Sequence, residues 1–371
     1  MPVTELRVAN YRSIRELTLP LKKANLIVGA NGCGKTNLYR SMVLLRAAAE
    51  GRLAKTLLEE GGMPSALWAG SRSEGPVRMK LGVTLDSFEY DLEIGLPQPH
   101  DPPSLFLLDP MVRVETLRLV EGGKRTVILE RNTNSCKVRN DAGKMETFPL
   151  ALRSEESVMV QVSDPQRFPI LEAVRRSFLQ WRFYHEFRVD ASSPIRQPRP
   201  GVRTYVLSPD GSDLAAALGT ILENGDDLGL HRGFAEAFPE AQLGISRGQG
   251  GVELQVTTPG VQRPLSSGEL SDGTLRFLCL LAALRSPSPA PLIALNEPEN
   301  SLHENLLEPL ADLLVNAALR SQLWLTTHSS QLATRVAEQL VVSPIGLEKR
   351  DGQTVRAGRP RGAAYSSEWD D

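Results

Sequence analysis

The 371-residue sequence predicts an α/β fold with a mixed sheet core, an antiparallel β insertion and a helical lobe. Three observations carry this. Short apolar runs, Leu26 to Val28, Leu292 to Leu295 and Leu323 to Thr326, each lead into a loop and then a helical stretch; that alternation belongs to an α/β core. Between residues 75 and 150, apolar and polar residues alternate with period two, as in antiparallel strands with one wet face. From about Ala151 the period lengthens to that of helices.

Taken in order, residues 3–9 and 15–20 read as two strands around Asn10-Tyr11-Arg12-Ser13. Residues 26–28 form a strand and 36–50 a helix, and Gly61-Gly62-Met63-Pro64-Ser65 breaks the pattern. Val77 to Leu85 and Phe88 to Ile94 make a hairpin across Asp86-Ser87, followed by a strand from Val112 to Val120. Gln98 to Pro103 is proline-rich loop, and Thr126 to Arg131 pairs with Cys136 to Arg139 across Asn132-Thr133-Asn134. Pro169 to Gln180 reads as a helix, and Trp181 to Asp190 as an alternating strand. Helices follow at Leu214 to Glu223 and Asp227 to Phe238, then a strand at Gly251 to Thr258. The last third holds a helix from Thr274 to Arg285, the strand 292–295, a helix from Glu304 to Ala318, the strand 323–326, a helix from Ser330 to Glu338, and a hairpin turning at Asp351-Gly352. Four regions result: 1–150 with the first lobe, 151–265 with the helical insertion, 266–358 with the second half of the core, and a flexible tail at 359–371.

Composition narrows the function. A net charge of −2 gives no global argument for nucleic acid or membrane, and aromatic residues are sparse at 5%. The three cysteines, Cys33, Cys136 and Cys279, form no C-x-x-C pair, which argues against a disulfide scaffold or a cysteine-rich zinc site. The N-terminus does not read as a signal peptide and no apolar run reaches the ~18 residues of a membrane span. The expectation is a cytoplasmic protein with no membrane association.

The chemistry starts at Gly29-Ala30-Asn31-Gly32-Cys33-Gly34-Lys35-Thr36, which matches G-x-x-x-x-G-K-[ST] between a strand and a helix. That context makes it a P-loop. The glycines let backbone N–H groups approach phosphate, and the helix adds its positive end. Asn31, Gly32, Cys33, Gly34, Lys35, Thr36 and Asn37 are the expected nucleotide-binding residues, with Thr36 also a hard ligand for Mg²⁺. Cys33 reads as filler. Leu292 to Leu295 runs into Asn296-Glu297-Pro298-Glu299. Glu297 stands where a general base acting on water would sit; Asn296 takes the place usual for a metal-supporting Asp. By itself the segment also reads as a helix entry with solvated carboxylates. His328, just past the next strand, suits a hydrogen bond to the γ-phosphate or the attacking water.

Together these pieces resemble the ABC-type ATPase heads of the RecF and SMC kind, and most closely the small AAA15/AAA_21 ATPases without coiled-coil arms. The resemblance spans nearly the whole chain. It rests on Asn10-Tyr11-Arg12-Ser13-Ile14, the P-loop, Leu270-Ser271-Asp272-Gly273-Thr274, Asn296-Glu297-Pro298-Glu299 and Thr327-His328-Ser329. It implies a homodimer with ATP sandwiched between heads, Lys35, Glu297 and His328 acting in catalysis, and Ser271 and Gly273 reaching the partner's nucleotide. It also implies that Ser301-Leu302-His303 lies at the dimer interface and that Arg12 approaches phosphate; on residues alone these are a helix start and a surface arginine, as Ser-Asp-Gly is a helix cap. Gln161 is the candidate for the glutamine that joins the lobes at Mg²⁺, beside Thr36 and Asn296. The stretch after His328 is too short for the Toprim domain of OLD-family proteins, so nuclease activity in this chain is not expected.

The function expected is therefore a slow Mg·ATP hydrolase that dimerises around ATP and serves a DNA-related process, either on DNA or on a DNA-processing protein. The alternative is a low-turnover nucleotide switch for a separate effector such as a nuclease; a transporter ATPase subunit fits the N-terminal motif and the β insertion less well. Arg182, Arg188, Arg196, Arg199 and Arg203 form either a phosphate track or a set of solvated loop cations.

Overall fold

The computed structural model describes residues 1–70, 78–97, 106, 108–132, 135–148, 152–248 and 250–358. Within these the chain forms two compact units, one drawn from residues 1–22, 29–181 and 345–358, the other from 23–28 and 182–344. The expected loop at Gln98 to Pro103, the turn residues Thr133 and Asn134, and the tail at 359–371 lie outside the described residues.

The first unit contains an eight-stranded antiparallel sheet. Val3–Tyr11 and Ile14–Pro20 form its first hairpin, closed by Tyr11 opposite Ile14. Arg12 makes the turn at a φ of 49°, a left-handed conformation unusual for a side-chain-bearing residue. Met79–Leu85 and Phe88–Gly95 pair around Asp86-Ser87 as expected, and Met111–Glu121, Lys124–Arg131, Cys136–Arg139 and Met145–Phe148 extend the sheet. The last strand has no counterpart in the sequence reading. The long helix Lys35–Glu50 buries Leu38, Met42, Leu44 and Leu45, and ends at Gly51 in the left-handed conformation. Beyond it, Gly62–Ala66 is a short helix rather than a break: Gly61 and Gly62 both have positive φ, and the chain turns and re-enters a helical conformation.

The second unit is built on four parallel strands, in the order Arg182–Tyr184, Leu292–Asn296, Gln322–Thr327 and Ala24–Val28. Parallel strands bury both faces and read as continuous apolar runs. Leu292–Asn296 and Gln322–Thr327 are buried at every residue. The helix Asp272–Leu284 buries Leu275 and Phe277 through Leu284 in the same core. At roughly 1.5–3 kcal/mol for each fully buried large apolar side chain, that helix face is a principal source of this unit's stability.

The strand expected from Trp181 to Asp190 is only three residues long. Phe187 and Val189 are buried and Glu186, Arg188 and Asp190 exposed, so the alternation is real. The ladder with Leu292–Asn296 nevertheless ends at Tyr184, and the backbone of Arg188 bonds instead to the Asp210 carbonyl. Gln242–Gly248 pairs with Gly251–Thr257 in a hairpin of which the sequence reading contained only the second strand. Among the described residues, no helix is long and apolar enough to cross a membrane.

Candidate functional site

The phosphate loop belongs to the first unit. Gly29, Gly32 and Gly34 have φ values of 150°, 76° and 107°, so all three use backbone freedom that L side chains lack. Gly34 sits at the N-cap of Lys35–Glu50, and no side chain caps that helix end. The first backbone N–H groups of a helix have no partner within it, so they suit an anion. The Lys35 ammonium donates to the carbonyls of Gly29, at 2.7 Å, and Ala30, at 3.3 Å. Asn31 and Gly32 are exposed, Cys33, Gly34 and Lys35 buried, and Thr36 and Asn37 half-buried.

A brace behind the loop escaped the sequence reading. Thr354, in the terminal hairpin Ile345–Arg350 and Gln353–Arg356, donates its hydroxyl to the Cys33 carbonyl at 2.8 Å. Its oxygen also lies 2.7 Å from Ser13 Oγ, which accepts a hydrogen bond from Asn37 at 2.8 Å. A Cβ on Gly34 would stand 2.1 Å from the Thr354 hydroxyl oxygen, and one on Gly29 2.3 Å from the Leu347 carbonyl. Both glycines are therefore required for packing as well as for dihedral angle.

Arg12 and Gln161 are engaged locally. Arg12 pairs with Glu60 at 3.0 Å, and Tyr11 donates to the same carboxylate at 2.7 Å. Burial works against the Arg12 charge, but Tyr11 and Glu60 outweigh it and hold its pKa above the ordinary value. The Gln161 amide accepts from the Arg153 N–H and donates to the carbonyls of Arg153 and Glu156.

The carboxylate loop belongs to the second unit. Leu292–Asn296, Gln322–Thr327 and Ala24–Val28 run parallel, so their C-terminal ends share one edge of the sheet. Asn296 is buried; its amide nitrogen lies 2.9 Å from His185 Nδ1 and its oxygen accepts from the Thr326 hydroxyl at 2.7 Å. Glu297 follows with a φ of 50°, its N–H bonded to the Thr326 carbonyl and its carboxylate accepting from Asn300 at 3.1 Å. A left-handed glutamate is a strained conformation of the kind that clusters at functional sites. Glu297 also lines a cleft of about 290 Å³, including open solvent, with Tyr184, His185, Arg276 and Asn296.

Glu299, which by sequence reads as one of two solvated carboxylates, is only 6% exposed. It accepts hydrogen bonds from the Thr327 hydroxyl and from the backbone of His328 and Ser329. His328 itself is exposed, with Nδ1 3.3 Å from the Glu299 carboxylate.

The signature segment is a helix cap, as its residues suggest. Ser271 accepts from the Thr274 N–H at 3.1 Å and opens Asp272–Leu284. A Cβ on Gly273 would lie 3.3 Å from the Ser301 carbonyl, so the loop bearing Ser301-Leu302-His303 packs close to this cap. Arg196 stitches the segment from below, pairing with Asp272 and donating to the Leu270 carbonyl at 2.8 Å. Of the arginine series, Arg196 is thus used internally, Arg203 pairs with Glu223, and Arg188 lies 3.8 Å from Asp190. Three of the five arginines thus have a carboxylate within ion-pair distance.

The half-buried Thr36 hydroxyl and the Gln161 amide oxygen in the first unit, and the Asn296 amide oxygen in the second, are each hard donors of the kind that Mg²⁺ takes in preference to a softer metal. The Asn296 oxygen already accepts from the Thr326 hydroxyl, and the Gln161 amide holds its own loop. No group of three or more His, Cys, Asp or Glu residues able to hold a metal occurs among the described residues.

Comparison with known proteins places this arrangement. No curated protein sequence matches the chain significantly. Among solved structures, the chain is similar to an Smc head bound to the C-terminal winged-helix domain of ScpA, at 15% identity over 96% of this chain and 98% of that one, with a TM-score of 0.54. It is also similar to an Smc head with an extended coiled coil bound to the C-terminal domain of ScpA, derived from Pyrococcus furiosus, at 13% identity over 96% of each chain, TM-score 0.51. At such identities the likeness establishes a shared P-loop head fold. A family model described as "AAA ATPase domain" matches residues 1–61, covering the phosphate loop. A second, AAA_21, described as "AAA domain, putative AbiEii toxin, Type IV TA system", matches residues 137–334, which hold the carboxylate loop, the signature segment and His328. With more than half of its length matched by that model, the chain belongs to the AAA_21 family of AAA-domain proteins.

Proposed function

We propose that the protein is a slow Mg·ATP hydrolase that dimerises head to head around ATP and couples turnover to a DNA-related process in the cytoplasm. The observation that carries this reading is the phosphate loop. Three glycines at positive φ, an uncapped helix N-terminus and the buried Lys35 ammonium make a cradle for polyphosphate. The backbone of Asn31 through Thr36 and the Lys35 ammonium hold the phosphates, and Asn37 supports the loop through Ser13. Thr36 holds the metal, with Asn296 and Gln161 contributing to its surroundings. When bound, Mg²⁺ supplies charge neutralisation for the phosphates. Glu297 takes the proton of the attacking water, and His328 donates to the γ-phosphate. Ser271 and Gly273 address the partner's nucleotide, with Ser301 to His303 at the interface. Arg12 reaches phosphate only on leaving Glu60.

One observation favours a second reading, a nucleotide switch of low turnover controlling a separate effector such as a nuclease. Asn296 is neutral where a carboxylate would strengthen the metal's surroundings, and both ends of its amide are already engaged. The Smc heads among the similar structures are bound to a domain of another protein, ScpA. Phosphate release measured with and without DNA, together with light scattering for mass, tests the proposal. Mg·ATP hydrolysis and an ATP-dependent doubling of mass are expected; a monomer that turns ATP over at full rate would remove the sandwich.

A further inference from the structure

We infer that Glu299 is a positioning residue for His328, and that the charge fixing the histidine loop comes from it rather than from Asn296. This rests on the reading of His328 as a phosphate-facing group.

The geometry is local to the parallel-sheet unit. Glu299 Oε1 gathers four contacts from the end of the neighbouring strand. The Thr327 hydroxyl and the N–H groups of His328, at 3.0 Å, and Ser329, at 3.3 Å, donate to it. His328 Nδ1 stands 3.3 Å away. The Ser329 N–H also donates to Thr327 Oγ1 at 3.0 Å, so hydroxyl and carboxylate share the same turn. These amides lie immediately before the helix Ser330–Leu340, where Ser329 accepts from the Leu332 N–H at 3.2 Å. A carboxylate here meets both unpaired amides and the positive helix end. The second oxygen, Oε2, is buried and has no hydrogen-bond donor among the described residues. Burying a carboxylate with one oxygen unmatched is costly. A surface residue making only a generic cap would turn that oxygen to water, whereas Glu299 is held inward by the loop it holds.

The consequence concerns His328. Its ring is exposed, so packing does not fix it. What fixes it is its backbone and Nδ1, and both face Glu299. With Nδ1 turned toward the carboxylate, Nε2 is the nitrogen presented outward. Asn296 cannot do this: its amide is spent on His185 and Thr326. Glu299, two residues beyond the proposed base, is a charged group that joins the carboxylate loop to the histidine loop in this unit.

A kinetic cycle with an exchange measurement tests this. Glu299→Ala is expected to lower kcat on the order of tenfold while the KM for ATP stays within about threefold, because ATP contacts are untouched and only orientation is lost. Glu299→Ala in a His328→Ala background is expected to add less than about twofold, since the residue acts through a group already removed. Amide exchange at His328 and Ser329 is expected to quicken on the order of tenfold in Glu299→Ala and less in Glu299→Gln, which keeps one acceptor oxygen. If Glu299→Ala fails to fold, Glu299→Gln runs the same cycle. Multiplicative losses in the double variant, or unchanged exchange at both amides, overturn the inference. Wild-type protein that does not hydrolyse Mg·ATP, with exchange still quickened, refutes the ATPase reading while the positioning stands.

Discussion

Thr354→Val isolates the brace behind the phosphate loop. Valine keeps the shape and removes the hydroxyl, leaving the Cys33 carbonyl without the proton it accepts at 2.8 Å. Thr354 is 1% exposed, so water does not readily replace that bond. An unsatisfied buried acceptor costs about 1–3 kcal/mol. Ser13 keeps its bond from Asn37 but loses the Thr354 oxygen that lies 2.7 Å from its hydroxyl, so the substitution removes both contacts of the brace. Urea unfolding should therefore report a loss of about 1–3 kcal/mol, and calorimetry with ATP a Kd weakened about tenfold, equivalent to ~1.4 kcal/mol. A second substitution shows that Thr354 is also the wall behind Gly34. Gly34→Ala places a Cβ 2.1 Å from the hydroxyl oxygen and 2.9 Å from the methyl carbon of Thr354. In a Thr354→Ala background both atoms are gone, and what remains is the strain of a side chain at a φ of 107° and a 3.0 Å approach to Ser13 Oγ. Gly34→Ala should then cost at least ~1 kcal/mol less than in the wild-type background. Equal costs in the two backgrounds, or Thr354→Val with unchanged stability and ATP affinity, would refute the brace.

Three further outcomes follow from other parts of the structure. Burial pushes the Glu115 carboxyl up, against hydrogen bonds from Ser157, Val158 and Tyr90 and the charge of Arg131 that pull it down. A carboxyl bound more tightly to its proton when folded contributes fully below its unfolded pKa of ~4.3, and that contribution is lost as pH rises through the folded value. Glu115→Gln should therefore be most destabilising near pH ~4 and less so near ~7; a penalty in urea unfolding that grows with pH contradicts this. Val341 ends the helix Ser330–Leu340 at φ 53° and is 90% exposed, so Val341→Gly should stabilise by about 1 kcal/mol, and a lowered melting temperature would show that the strain is imaginary. Asn296→Asp removes the donor facing His185 Nδ1 and adds a charge to the carboxylate loop, where the proposal puts the metal's surroundings; a large rise in turnover supports the switch reading, and an unchanged or lower rate counts against it.

Much of the fold was legible because its signals are local. The hairpin at Asp86-Ser87 and the helices after the phosphate loop and Ser271 follow from spacing and turn chemistry within a few residues. The phosphate loop carries its own explanation for the same reason. What stayed hidden depends on distant parts of the chain. Thr354 is 321 residues from the carbonyl it braces, and nothing near Thr354 in sequence marks it. Arg196 reads as one cation in a loop series until the Leu270 carbonyl and Asp272 appear beside it. The Trp181 to Asp190 run alternates like a strand, yet its burial pattern survives without a ladder after Tyr184, so period alone could not separate the two. Glu299 stood in a recognised motif, but its burial is set by the neighbouring strand end, which sequence does not place.

The central claim is that Lys35 binds the phosphates and Glu297 drives hydrolysis, and phosphate release by three proteins at saturating Mg·ATP tests it most directly. Wild type is expected to release phosphate, Glu297→Gln to bind ATP but turn over on the order of a hundredfold more slowly, and Lys35→Ala to show neither binding nor release. Glu297→Gln hydrolysing at the wild-type rate, or Lys35→Ala binding ATP as tightly as wild type, would contradict the account.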